Sequence, residues 1–127
     1  MYNQEEVNLI LSEDPVCIPF PCHLPAHEVS YAANTMQVKS AGTYVMCYGL
    51  TATPYLSANL QAQILANGQP LPATAQTMYT GIGRGVALHN FSLVDLPALA
   101  EISLQLSADK KVDVDLSQAQ LAMMRIG

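Results

Sequence analysis

A chain of 127 residues, half of them hydrophobic and 12% charged, is long enough to bury one core and too short for two ordinary domains. This composition excludes a disordered polymer, which is polar and charged. A net charge of −5, with only five scattered basic residues, excludes a nucleic-acid-binding stripe, and no apolar run approaches the ~18 residues of a membrane span.

The mean hydropathy of +0.21 is high for so small a chain, and it predicts self-association. Residues 1–6 are polar and acidic and lack the basic and apolar regions of a secretory signal peptide, so the compartment is left unassigned. There is no internal repeat, no Gly-X-Y triplet and no low-complexity tract.

The dominant period is two. In chain order it predicts strands at 6–11, 28–32, 34–39, 43–52, 57–66, 75–80, 85–94, 100–107, 111–117 and 119–126. Leu60, Ala62 and Ile64 alternate with Gln61 and Gln63. Ile102, Leu104 and Leu106 alternate with Ser103 and Gln105, and Val112, Val114 and Leu116 with Asp113 and Asp115. Such strands bury one face. Asn67-Gly68 is a hairpin signal, because both residues tolerate positive φ. Ser92 to Asp95 resembles a capping box, but the flanking apolar strands favour a hairpin turn over a helix there. Pro15, Pro19, Pro21 and Pro25 keep 14–27 out of a sheet and make it an extended surface connection. The chain thus divides into 1–27, a strand plus a Pro/Cys-rich segment, and 28–127, the sandwich proper, as one domain overall. Many short strands with frequent turns predict an all-β, two-sheet antiparallel sandwich of about ten strands.

The segments 43–50 and 119–126 are apolar at nearly every position. A strand in a two-sheet sandwich meets the other sheet with one face only, so the second face requires a neighbouring subunit. Tyr44, Met46, Tyr48, Leu121 and Met123 are the expected contact residues. The alternative lines the core with them, since a one-residue error of phase exchanges the faces.

Few constellations carry chemistry. Cys17-x4-Cys22-His23-x3-His27 holds soft and imidazole donors in one short segment. A bound metal, a Cys17–Cys22 disulfide and free thiols are the three readings, and free thiols are favoured. Cys47 reads as a buried, inert thiol, His89 has no evident nucleophile beside it, and no Gly-x-Ser-x-Gly elbow occurs. No cofactor and no catalysis are expected. Gly81-Ile-Gly83-Arg84-Gly85 precedes a strand rather than a helix, so it reads as a loop and not as a phosphate cradle. Asp109, Asp113 and Asp115 are either a solvated face or a weak calcium site. Asn90-Phe91-Ser92 fits a glycosylation sequon, to which no role is given without a secretory signal.

Ala41-Gly42-Thr43-Tyr44, the run from Ile64 through Asn67-Gly68 to Pro72, Ile102 to Leu106, and the closing Leu121 to Ile126 occur in an order that resembles a known domain. It is the C-terminal domain of bacterial collagen-like proteins such as the bacillus exosporium glycoprotein, within the tumour-necrosis-factor and complement-subunit-like jelly-roll group. The resemblance spans about residues 28–126. It implies a ten-strand jelly roll packed as a homotrimer, which in that family ends a collagen-like stalk on the spore surface. This chain departs from the pattern in its lack of a collagen repeat and in its segment 14–27.

Two functions follow as expectations. One is a non-enzymatic structural trimerisation module of a spore or cell-surface layer. The other is a trimeric module that binds a carbohydrate or a surface protein, for which Tyr31, Tyr55 and Tyr79 are the candidate aromatic platform.

Overall fold

The computed structural model describes residues 1–20, 22, 29–32 and 34–127. Its strands are β1 (Tyr2–Asn3), β2 (Val7–Leu11), β3 (Val16–Cys17), β4 (Val29–Ala32), β5 (Thr35–Val38), β6 (Gly42–Pro54), β7 (Ala58–Ala66), β8 (Gln69–Pro70), β9 (Gln76–Thr80), β10 (Val86–Leu96), β11 (Glu101–Ala108) and β12 (Val112–Arg125). One sheet has the order β1-β12-β6-β10, with β2 also paired to β12. The other has the order β4-β5-β11-β7-β8, with β3 paired to β11 and β9 to β7. Neighbouring strands in both sheets run antiparallel.

The period-two pattern builds the core directly. Leu60, Ala62 and Ile64 of β7 and Ile102, Leu104 and Leu106 of β11 are buried from one sheet. Tyr44, Met46, Tyr48 and Leu50 of β6, with Val112, Val114 and Leu116 of β12, are buried from the other. Buried polar groups are partnered, as a low-dielectric interior demands. The Tyr48 hydroxyl donates to the carbonyls of Thr74 (2.6 Å) and Ala62 (3.2 Å). The Thr74 hydroxyl donates to the Leu71 carbonyl and accepts from the Ile64 amide. The Tyr44 hydroxyl donates to the Ser40 carbonyl at 2.6 Å. Among the described residues no buried side-chain nitrogen or oxygen lacks a partner.

The Asn67-Gly68 turn joins β7 to β8 with φ values of 52° and 77°, the two left-handed residues that a tight hairpin of matching twist needs. The turn after Leu96 differs from a hairpin. β10 and β11 belong to different sheets, so residues 97–100 cross the sandwich, with Leu99 at φ 65° and its amide donating to the Val38 carbonyl. No helix forms there; 98–99 are a turn.

The strand count exceeds the expected ten because β1, β3 and β8, two residues each, were too short to show a period. Segments 111–117 and 119–126 are one strand. The register of β12 on β6 slips by one residue between Ser117 and Gln120, and Gln118 sits in the left-handed region at φ 54°. This bulge holds one unpaired residue, so buried positions are even-numbered before it and odd-numbered after it.

The proline-rich segment also departs from expectation. Val16 and Cys17 pair with Leu106 and Gln105, and the Ile18 amide donates to the Leu104 carbonyl. Ile18 and Phe20 are buried. Pro15 and Pro19 bracket the paired residues Val16 to Ile18, and an edge strand tolerates their missing donors.

Candidate interaction face

The outer face of the β12-β6-β10 sheet carries a continuous exposed apolar surface. Cross-strand register sets it out in rows. Ala122, Cys47 and Phe91 lie side by side, and the next row is Met124, Val45 and Leu93. Directly opposed residues on one face of an antiparallel pair have Cβ atoms about 5 Å apart, so each row is in contact. Phe91, Leu93 and Met124 are 71%, 59% and 63% exposed, while Val45 and Cys47, in the middle strand, are half-buried by their neighbours. At one end of the rows the Thr43 hydroxyl donates to the Asp95 carboxylate at 2.6 Å. Beyond the other end the same face turns polar, with Thr51 opposite Ser117 and Thr53 opposite Asp115.

The polar half is held by its own bonds. Asn8 donates to one oxygen of Asp115 and the Tyr55 hydroxyl to the other, both at 3.0 Å. The Asn8 bond leads in holding the Asp115 carboxyl below its ordinary range, and the hydrogen bond that Tyr55 donates to that carboxylate leads in raising the Tyr55 phenol. Asp109 is engaged elsewhere. It accepts from the side chain and backbone amide of Asn59, which lower its pKa. Asp109 and Asp115 therefore do not converge as a calcium site. Among the described residues no group of three or more histidine, cysteine, aspartate or glutamate side chains is placed to hold a metal.

The contact residues expected from sequence are out of phase by one. Tyr44, Met46, Tyr48 and Leu121 are 0–3% exposed and face the opposite sheet, and Met123 is partly buried against the core. The outward positions on those strands are Val45, Cys47, Ala122 and Met124. A signal for this lay in the sequence: Thr43, Thr51 and Thr53 share the parity of Val45 and Cys47, and Gln120 shares that of Ala122 and Met124.

The remaining candidates are dispersed. Cys17 lies exposed on β3, where desolvation raises its thiol pKa and a bond with Ser103 works against that shift. Cys22 instead bridges to Tyr2 of the opposite sheet, and both thiols are free. His23 and His27 lie outside the described residues. Cys47 is not buried in the core but half-exposed on the outer face; His89, diagonal to it, is exposed, and no hydrogen bond joins them. Gly81 to Gly85 is a loop whose Gly83 amide donates to the Pro54 carbonyl, and β10 follows it directly. The Asn90 carboxamide accepts from the Ser92 hydroxyl. Tyr31, Tyr55 and Tyr79 do not form one platform. Tyr55 reaches Asp115 on one sheet, Tyr79 stands on β9 of the other, and Tyr31 lines a groove at the sandwich edge.

Two antiparallel sheets in this order, with successive strands crossing between them, are a jelly-roll sandwich of the tumour-necrosis-factor type. The crystal structure of murine APRIL at pH 5.0 superposes with a TM-score of 0.54, covering 87% of this chain and 95% of that one at 8% sequence identity. At that identity the likeness is one of fold. No family model matches the chain. No curated protein matches it either.

Proposed function

We propose that the chain is a non-enzymatic trimerisation module whose subunits associate through the outer face of the β12-β6-β10 sheet. The observation that carries this reading is the pair of apolar rows, Ala122-Cys47-Phe91 and Met124-Val45-Leu93, lying outside the core of a sandwich already closed without them. Small soluble monomers rarely expose a contiguous apolar surface of this kind. The jelly-roll architecture supports three copies about an axis, as the resemblance to the collagen-like group implies. A structural role in a spore or cell-surface layer rests on that resemblance.

The test is solution mass by light scattering after size exclusion. The expected mass is near three times 13.7 kDa. Phe91→Asp places a charge at the β10 end of the first row, within the proposed interface, and is expected to return a folded monomer, because an unpaired charge in an apolar interface costs several kcal/mol. A native chain that elutes as a monomer at all concentrations removes the proposal.

A further inference from the structure

We propose that the polar cavity on the outer face of β11, β7 and β9, beside Tyr79, binds one ring of an uncharged carbohydrate. This face belongs to the other sheet from the apolar rows, so the inference does not rest on the trimer.

Two cross-strand rows build the cavity. Ser107, Gln61 and Thr77 lie side by side. Asp109, Asn59 and Tyr79 form the next row, in which the Asp109 amide donates to the Asn59 carbonyl at 3.1 Å. The Ala108 amide donates to the Ser12 carbonyl, and this bond brings Glu13 to the rim. The space enclosed is about 220 Å³. That is several times the ~30 Å³ of a water and less than the ~300–1,000 Å³ of sites for larger ligands, so it suits a single six-membered sugar ring.

The cavity holds one fixed acceptor among free polar groups. The Asn59 backbone amide donates to one Asp109 oxygen at 3.0 Å, and the Asn59 carboxamide donates to the other at 2.9 Å. A carboxylate has about four acceptor sites, so each oxygen keeps capacity for a further donor. Adjacent hydroxyls of a sugar supply such donors in pairs, and bonds to a charged acceptor are the stronger kind. The Asn59 bonds also hold the Asp109 carboxyl below its ordinary range, which keeps it an acceptor in mildly acidic water. Among the described residues, no hydrogen bond engages the side chains of Gln61, Thr77 or Ser107. Their amide and hydroxyls donate and accept alike, as the hydroxyls around a sugar ring do.

Tyr79 supplies the apolar half of the match. It is 66% exposed and directly opposes Asn59, at a Cβ separation of about 5 Å. Its ring offers a flat surface against which the C–H face of a pyranose sheds water. Other occupants fit less well. Glu13 and Asp109 repel a phosphate or sulfate, and no lysine or arginine is among the described lining residues. An apolar ligand would strip water from Gln61, Thr77 and Ser107 without replacing its bonds.

The experiment titrates the ¹⁵N-labelled full chain with the methyl glycosides of glucose, galactose, mannose and N-acetylglucosamine, each to about 50 mM, a range that covers millimolar dissociation constants. At least one glycoside is expected to shift the amides of Asn59, Ser107 and Asp109 saturably. Asp109→Asn keeps the shape and removes the charged acceptor, and is expected to weaken binding by at least about tenfold. Asp109 also ties the turn before β12 to β7, so Tyr79→Ala, at an exposed position, serves as a second variant. It is expected to weaken binding several-fold and leave the unfolding transition in place. The inference is overturned if no glycoside moves these amides, or if the shifts fall elsewhere on the molecule. It is also overturned if both variants bind like the parent, or if methylammonium moves these amides and the glycosides do not, since the carboxylates then hold a cation. Phe91→Asp is expected to bind the same glycoside with an unchanged dissociation constant per site, so the trimer and the sugar site fail separately.

Discussion

Tyr48 shows how a single side chain ties the two sheets together. Its ring fills the core and its hydroxyl reaches the carbonyls of Ala62 and Thr74. Burial pushes the phenol up to about 12 from an ordinary 10. An unfolded chain therefore releases this proton near pH 10, while the folded chain holds it. Between pH 10 and 12 the unfolded state binds fewer protons, so stability falls as pH rises across that window and is intact below it. Urea unfolding at pH 9 and pH 11.5 is expected to show this decline, and Tyr48→Phe is expected to reduce it. The same substitution costs about 1 kcal/mol at neutral pH, because two buried carbonyls lose their donor. An unchanged pH slope in the variant rejects Tyr48 as the source.

At the scale of elements, alternation was legible wherever one face met the core and the other met water. β7, β11 and the first half of β12 fall where their Leu/Gln, Leu/Ser and Val/Asp alternations put them. β6 was legible as a strand but not in its phase. Tyr44 through Leu50 is apolar on both faces, and only the flanking threonines at odd positions report which face turns outward. β3 was illegible because two residues carry no period, and prolines on either side argue against a sheet. Its pairing comes from the free half of the β11 edge that β5 leaves uncovered, which is a tertiary fact. The bulge in β12 appeared in the sequence as an apparent break at 118. Left-handed backbone disfavours a side chain by about 1–2 kcal/mol, a strain that glycine lacks. Gln118→Gly is therefore expected to raise the unfolding free energy, by up to about 1 kcal/mol after glycine's entropy loss. A lower stability in chemical denaturation would count against strain at this residue.

Over the whole molecule, the fold separates three tasks onto three surfaces. The space between the sheets holds the core, the outer face of β12-β6-β10 holds the apolar rows, and the edge beside β1 and β4 holds the groove. Part of the apolar surplus noted in the composition is set in ordered rows on that outer face, where Phe91, Leu93 and Met124 are exposed. An exposed apolar face was legible as a requirement, since two-sided apolar strands demand a second cover, but its residues were not. The bulge links these surfaces, and it has a genetic consequence. It holds one residue more than the stretch of β6 opposite it. Loss of the Gln118 codon would leave Ser117 on Thr51 and Gln120 on Gly49, so both faces of the strand keep their orientation. The shortened chain is expected to fold and to elute with the same mass as the parent. The same loss at Leu104, where β11 pairs without a bulge, turns half a strand to the wrong side and is expected to leave no soluble product.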